Sequence, residues 1–145
     1  MSGTFTPNPS AEANVAFDVV KPGVYRMRVK EITNTKADGS LLVSGKGNKY
    51  FKVKLEYTDP TSLLKMDESP VTNPGIVFDN GLVYEPKEAQ GRLRNFVEGC
   101  GVSWIEAGDA DVLVGKEVDV KIGLKKTTEQ YPDEGNEVKR YISIK

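Results

Sequence analysis

Histidine is absent from the 145 residues, and cysteine occurs once, at position 100. Without histidine there is no Ser-His-Asp or Cys-His pair, no HExxH zinc site and no other common histidine-containing zinc site. A lone cysteine excludes an intramolecular disulfide and argues against a thiolate metal centre. Also missing is any apolar run long enough to span a bilayer, and the polar N-terminus has no signal-peptide core. The expectation is a cytoplasmic protein with no metal, no cofactor and no membrane partner. Catalysis would fall to carboxylates, lysine or tyrosine. The one arrangement on offer, Asp79, Glu85 and Glu88 around magnesium, comes without a metal-binding motif, so the chain is not expected to be an enzyme.

Net charge is scarce too, at −1, which by itself argues against a polyanionic partner. The total conceals a division. Between Lys21 and Tyr57 nine basic residues face three acidic ones, for +6, whereas Asp59 to Ala89 holds two basic and six acidic, for −4. Such polarity bears on binding more than the sum does.

The most regular stretch is Lys49–Tyr57. Phe51, Val53, Leu55 and Tyr57 alternate with Tyr50, Lys52, Lys54 and Glu56, which is the two-residue period of a strand with one face in a core. The other face joins an aromatic to two lysines. It suits either a solvated strand kept soluble by lysine or a surface that stacks bases and neutralises phosphates. Tyr25, Met27 and Val29 alternate with Arg26, Arg28 and Lys30 in an earlier strand, whose phase breaks at Glu31–Ile32 as a bulge or sharp coil would break it.

Residues 33–48 read as a flexible basic hairpin loop, with Leu41–Val43 able to add a short strand. They do not make a phosphate-binding P-loop, because five residues separate Gly39 from Gly45 and Lys46 is followed by glycine. Asn80–Gly81 between apolar triplets fits either a hairpin turn or one kinked strand. Pro86 and the spacing of Ala89, Leu93, Phe96, Val97 and Cys100 predict an amphipathic helix stopped by Gly99 and Gly101, with Arg92 and Arg94 solvated. Cys100 then reads as a small core residue. Trp104 packs on the core or stacks a base. Val118, Val120, Ile122 and Leu124 mark a fourth strand, and Val138, Arg140, Ile142 and Ile144 the face of a fifth. Residues 1–20 are expected to form a flexible N-terminal arm, docked through Phe17, Val19 and Val20, ahead of a single domain over 21–145.

Five strands with one helix before the fourth predict a mainly β fold, an OB-fold-like five-stranded barrel, with a generic α+β sheet as the alternative. Gly23-Val24-Tyr25, Phe51-Lys52-Val53, Leu113 to Val120 and Asn136-Glu137-Val138-Lys139, in that order and spacing, resemble the small OB-fold single-stranded-DNA-binding proteins encoded by bacteriophages. The resemblance spans 21–145. It implies single-stranded DNA binding and protection during phage replication or recombination, in the host cytoplasm, with phage or host replication proteins as partners and a homo-oligomer as an open possibility. Many such proteins end in an acidic recruiting tail. Here the last residues read as strand, so recruitment is either missing or placed elsewhere, the acidic 59–88 region being a candidate.

On that reading Tyr50 stacks a base beside Lys52 and Lys54, and Arg26, Arg28 and Lys30 track the backbone. Lys36, Lys46 and Lys49 close the groove from the first loop and Tyr131 from the last, with Lys125, Lys126 and Lys139 in support. The competing reading is a non-enzymatic protein-interaction or structural phage module built on the same barrel, whose basic and acidic halves associate with each other.

Overall fold

In a computed structural model that describes residues 3–9, 18–106, 108–126 and 135–142, the first strand is the hub of one antiparallel sheet. β1 (Gly23–Thr33) pairs on one side with β2 (Lys49–Tyr57) and on the other with β4 (Glu117–Leu124); β3 (Val77–Glu85) lies outside β2 and β5 (Asn136–Ile142) outside β4. The order β3-β2-β1-β4-β5 curls into a nearly closed barrel, with helix α1 (Gly91–Gly99) between β3 and β4. This is the connectivity expected of an OB-like fold. No helix among the described residues is long and apolar enough to cross a membrane.

The barrel interior is the alternating apolar set. Met27, Val29, Val53, Leu55, Val118, Val120 and Ile122 are all within 1% of complete burial. Burying each such side chain contributes about 1.5–3 kcal/mol. The register of β1 against β2 slips between Val29 and Glu31. That is the bulge announced by the phase break, and it lets Ile32 point inward again after Lys30 and Glu31. From α1, Leu93, Phe96 and Val97 close one end, followed by buried Cys100. The chain reverses at Gly101, whose φ of +80° suits glycine. Gly99 has a second role, since a Cβ there would stand 2.8 Å from Val118 Cγ2 and 2.9 Å from the Ile142 carbonyl. The missing side chain is what lets the helix lie this close to β4 and β5.

Of the two readings of Asn80–Gly81 the kinked strand holds, since β3 runs through it as one strand with register shifts against β2. Glycine eases a close approach there, as a Cβ would sit 3.1 Å from both Arg92 Nε and Asp79 Oδ1 and would press on those side chains. Other expectations change. The inward face of β5 is Val138 and Tyr141, not Val138, Arg140 and Ile142. Lys121 pairs with Arg140 but Ile122 with Val138, so Lys139 is bulged out and the phase shifts by one. Lys139 then crosses Gly123, which has no side chain to obstruct it. Leu124 is 41% exposed rather than part of the core face. Ile144 and Phe17 lie outside the described residues.

Residues 33–48 are a hydrogen-bonded double turn rather than a flexible loop. Isolated bridges join Thr35 to Leu41 and Val43 to Lys49, and turns close at Lys36–Ser40 and Ser44–Asn48. Val20 is fully buried, and its backbone is held at both ends by the Asn136 amide, at 2.7 and 2.8 Å. Asp18 accepts from the backbone N–H groups of Thr72 and Asn73, which hold its carboxyl below the usual carboxylate range.

Candidate nucleic-acid interface

The alternation that sends Val53 and Leu55 inward sends Tyr50, Lys52 and Lys54 to the outer surface of β2. Beside them on β3 stands Phe78. It pairs with Lys54 in the register, it is 47% exposed, and Lys52 Nζ and Lys54 Nζ lie 4.9 and 5.8 Å from its ring centroid. A half-exposed ring with two ammonium groups over it brings together what base stacking and phosphate neutralisation require. The ammonium groups would leave the ring for the phosphates as a base takes their place. Tyr50, opposite Val83, is half-buried and offers less ring than Phe78 does. Sequence reasoning missed Phe78 because it sits in the run Ile76-Val77-Phe78, which looks like uninterrupted core. Only the inward turn of Val77 and Asp79 shows which way it faces.

The β1 residues sit in a different electrostatic setting. Arg26 donates to Asp119 at 3.0 Å, Arg28 reaches Glu56 and Glu117 at 3.4 Å each, and Lys30 lies 3.6 Å from Glu56. Asp119 also raises the Arg26 pKa above its ordinary value, chiefly by accepting its hydrogen bond. The outer face of β1 is thus a compensated ladder of alternating sign. Lys54 meets Glu31 at 3.1 Å. Lys49 is bound to Glu85 at 2.7 Å, which raises its pKa, and Lys139 pairs with Glu137.

Lys36, Lys46, Lys125 and Lys126 are exposed and carry no ion pair among the described residues. Lys36 and Lys46 stand on the two tight turns that follow β1; Lys125 and Lys126 follow β4. Lys125 lines a crevice beside Phe78, and all four belong to the two connections that border ligands in OB-like barrels. Tyr131 lies outside the described residues.

The three carboxylates considered for magnesium are committed separately. Asp79 is buried and accepts from Gly81 N, Arg92 Nε and the Tyr141 hydroxyl. Glu85 is paired with Lys49, and Glu88 is exposed in a single 3₁₀ turn at Lys87–Ala89. Among the described residues no three acidic or cysteine side chains form a metal-sized cluster.

Two cavities border these elements. One of about 400 Å³ is lined by Phe51, Tyr84, Leu93, Trp104, Ile105 and Leu113, between the strand ends and α1. Trp104 is half-buried there and packs against the core. The other, about 340 Å³, opens at the β3–β5 seam beside Phe78.

No protein-family model matches the chain, and no curated protein matches it significantly.

Proposed function

We propose that the protein binds single-stranded DNA with little sequence preference, without catalysing a reaction, and protects it during phage replication or recombination. The observation that carries this reading is Phe78, exposed on the outer β2–β3 face with the ammonium groups of Lys52 and Lys54 over its ring. Four exposed lysines on the β1–β2 and β4–β5 connections would add to the cationic surface, and Tyr50 supplies a second, half-buried ring. Every base has a π-face, so such a platform is tolerant of sequence.

The test is fluorescence anisotropy of labelled dT oligonucleotides at low and moderate salt, with duplex DNA and RNA as competitors. Salt-dependent binding that prefers single-stranded DNA is expected. Phe78→Ala should cost about 1–3 kcal/mol, and Lys52→Ala/Lys54→Ala should flatten the salt dependence. Absence of binding at low salt would overturn the proposal. The alternative, a protein-interaction module, is favoured by one feature, the compensated ladder of Arg26, Arg28, Glu56, Glu117 and Asp119. Salt-sensitive self-association without DNA would support it.

A further inference from the structure

β3 and β5 form the two margins of the barrel, and no ladder joins them among the described residues. Where the margins diverge, Ile76, Phe78, Asn80, Lys125 and Glu137 line the 340 Å³ crevice. That volume exceeds what one nucleobase needs. The crevice has a flat apolar wall in the exposed ring of Phe78, with Ile76, 41% exposed, beside it. Its polar groups differ in their availability. Asp79 is used by Arg92 and Tyr141, and Asn136 by the Val20 backbone. The Asn80 amide has no hydrogen-bond partner among the described residues and is exposed, as is Lys125. Glu137 is paired with Lys139 through Oε1, which leaves Oε2 to accept.

We propose that this seam is a nucleobase slot: one base of the bound strand enters it, face on Phe78 and edge toward Asn80 and Glu137, with Lys125 on the adjoining phosphate. The proposal rests on the single-stranded-DNA reading and adds to it a preference. The amide of Asn80 both donates and accepts, so it serves any base. A carboxylate only accepts, so Glu137 rewards a base that turns an exocyclic amino group toward it. Thymine in the same pose presents O4, an acceptor that the carboxylate repels, and only a shifted pose would bring its N3–H there. Cytosine against thymine is the cleanest comparison, since the two rings are the same size.

The experiment measures dC and dT 15-mers by anisotropy at pH 8, for wild type, Glu137→Gln and Phe78→Ala, and photo-cross-links a 15-mer carrying one 5-iodocytosine. The dC oligomer should bind roughly 2- to 10-fold more tightly, the range of one hydrogen bond. Glu137→Gln should bring the dC/dT ratio toward one. The ratio is unaffected by the extra positive charge that releasing Lys139 adds to both oligomers. The cross-link should map to Phe78. Equal wild-type affinities, a ratio unchanged in Glu137→Gln, or cross-links confined to Tyr50 would overturn the slot while single-stranded binding stood. If neither oligomer bound, the underlying DNA reading would fail with it.

Discussion

The Tyr141 hydroxyl donates to Oδ2 of Asp79 at 2.5 Å, joining β5 to β3 across 62 residues of sequence where no strand ladder connects them. Arg92 of α1 completes the clasp. Its Nη2 lies 3.1 Å from the same carboxylate oxygen and 3.0 Å from the Val138 carbonyl, and its Nη1 reaches the Lys139 carbonyl at 3.2 Å. One guanidinium thereby occupies backbone acceptors on the β5 margin and the charge on β3. This closes the barrel with side chains and covers an edge that another chain would find open. Tyr141→Phe should destabilise by about 1–3 kcal/mol, since a buried carboxylate loses one donor. Arg92→Ala should cost about 3–5 kcal/mol, or somewhat less because Arg92 is partly exposed, by leaving Asp79 buried and unpaired. Urea unfolding followed by circular dichroism measures both; losses below about 0.5 kcal/mol would show that the clasp contributes little.

A second buried tyrosine should respond in the opposite direction. Tyr57 packs edge-on against Tyr25, with ring centroids 5.5 Å apart, and its hydroxyl has no hydrogen-bond partner among the described residues. Replacing an unsatisfied buried hydroxyl with hydrogen is neutral or favourable. Tyr57→Phe should therefore leave stability unchanged or raise it by about 1 kcal/mol, measured in the same urea series as Tyr141→Phe. Equal losses for the two would sink the distinction.

The two phenols also set the alkaline limit. Burial, and for Tyr141 the neighbouring Asp79 charge, raise both pKa values above the ordinary tyrosine value. The folded protein holds these protons more tightly than the unfolded chain does. The associated stability is thus fully present below about pH 10 and falls as the pH rises beyond it, when the unfolded chain ionises first. The urea midpoint should drop between about pH 9 and 11, and the Tyr57→Phe/Tyr141→Phe double variant should show a shallower decline.

Where side-chain period alone decides position, the sequence was a good guide. β2 begins and ends at Lys49 and Tyr57 as its alternation indicates, and the bulge in β1 and the buried stripe Leu93, Phe96, Val97 and Cys100 follow from their patterns. Ala89, however, lies exposed in a separate 3₁₀ turn before α1. Elsewhere the pattern fails or leaves a choice where a bulge or a close approach resets the phase. Lys139 bulges out, so Tyr141 and not Arg140 faces inward. At Asn80–Gly81 the sequence fitted a turn and a kinked strand equally, with nothing local to show that the strand forms and Gly81 lies against Arg92. Both places conceal the same clasp, because neither Asp79–Tyr141 nor Arg92–Val138 has a local sequence signature. At the candidate interface the lysines of β2 were legible, but Phe78 was not. Nor did the count of basic residues show that the cations of β1 are matched by acids arriving on β2 and β4.

Burial pushes the Cys100 thiol up to about 12. Only the thiolate reacts rapidly with disulfide reagents. Native protein at pH 8 should therefore react with Ellman's reagent far more slowly than a free thiol, and completely once unfolded in guanidinium. Rapid native labelling would show that the end of α1 opens readily.

The compensated ladder on β1 yields a prediction with an unusual sign. Glu56 engages both Arg28 and Lys30, at 3.4 and 3.6 Å, from the strand that also carries Lys52 and Lys54. As an exposed pair network it contributes little to stability, about 0–1 kcal/mol per pair. Its larger effect is to hold two cations away from a passing phosphate. If single-stranded DNA crosses this face, Glu56→Gln should strengthen binding and steepen its salt dependence by roughly one additional phosphate contact or less, a slope change of about 0.7 on logarithmic axes. Arg28→Ala in the wild-type background should weaken binding less than Lys52→Ala does, because Arg28 is already engaged. Anisotropy titrations of a dT oligomer at several salt concentrations test both orders. If Glu56→Gln leaves affinity and slope unchanged while Lys52→Ala and Phe78→Ala weaken binding, the strand runs over β2 and β3 only, and the β1 ladder is a structural device that the ligand never meets.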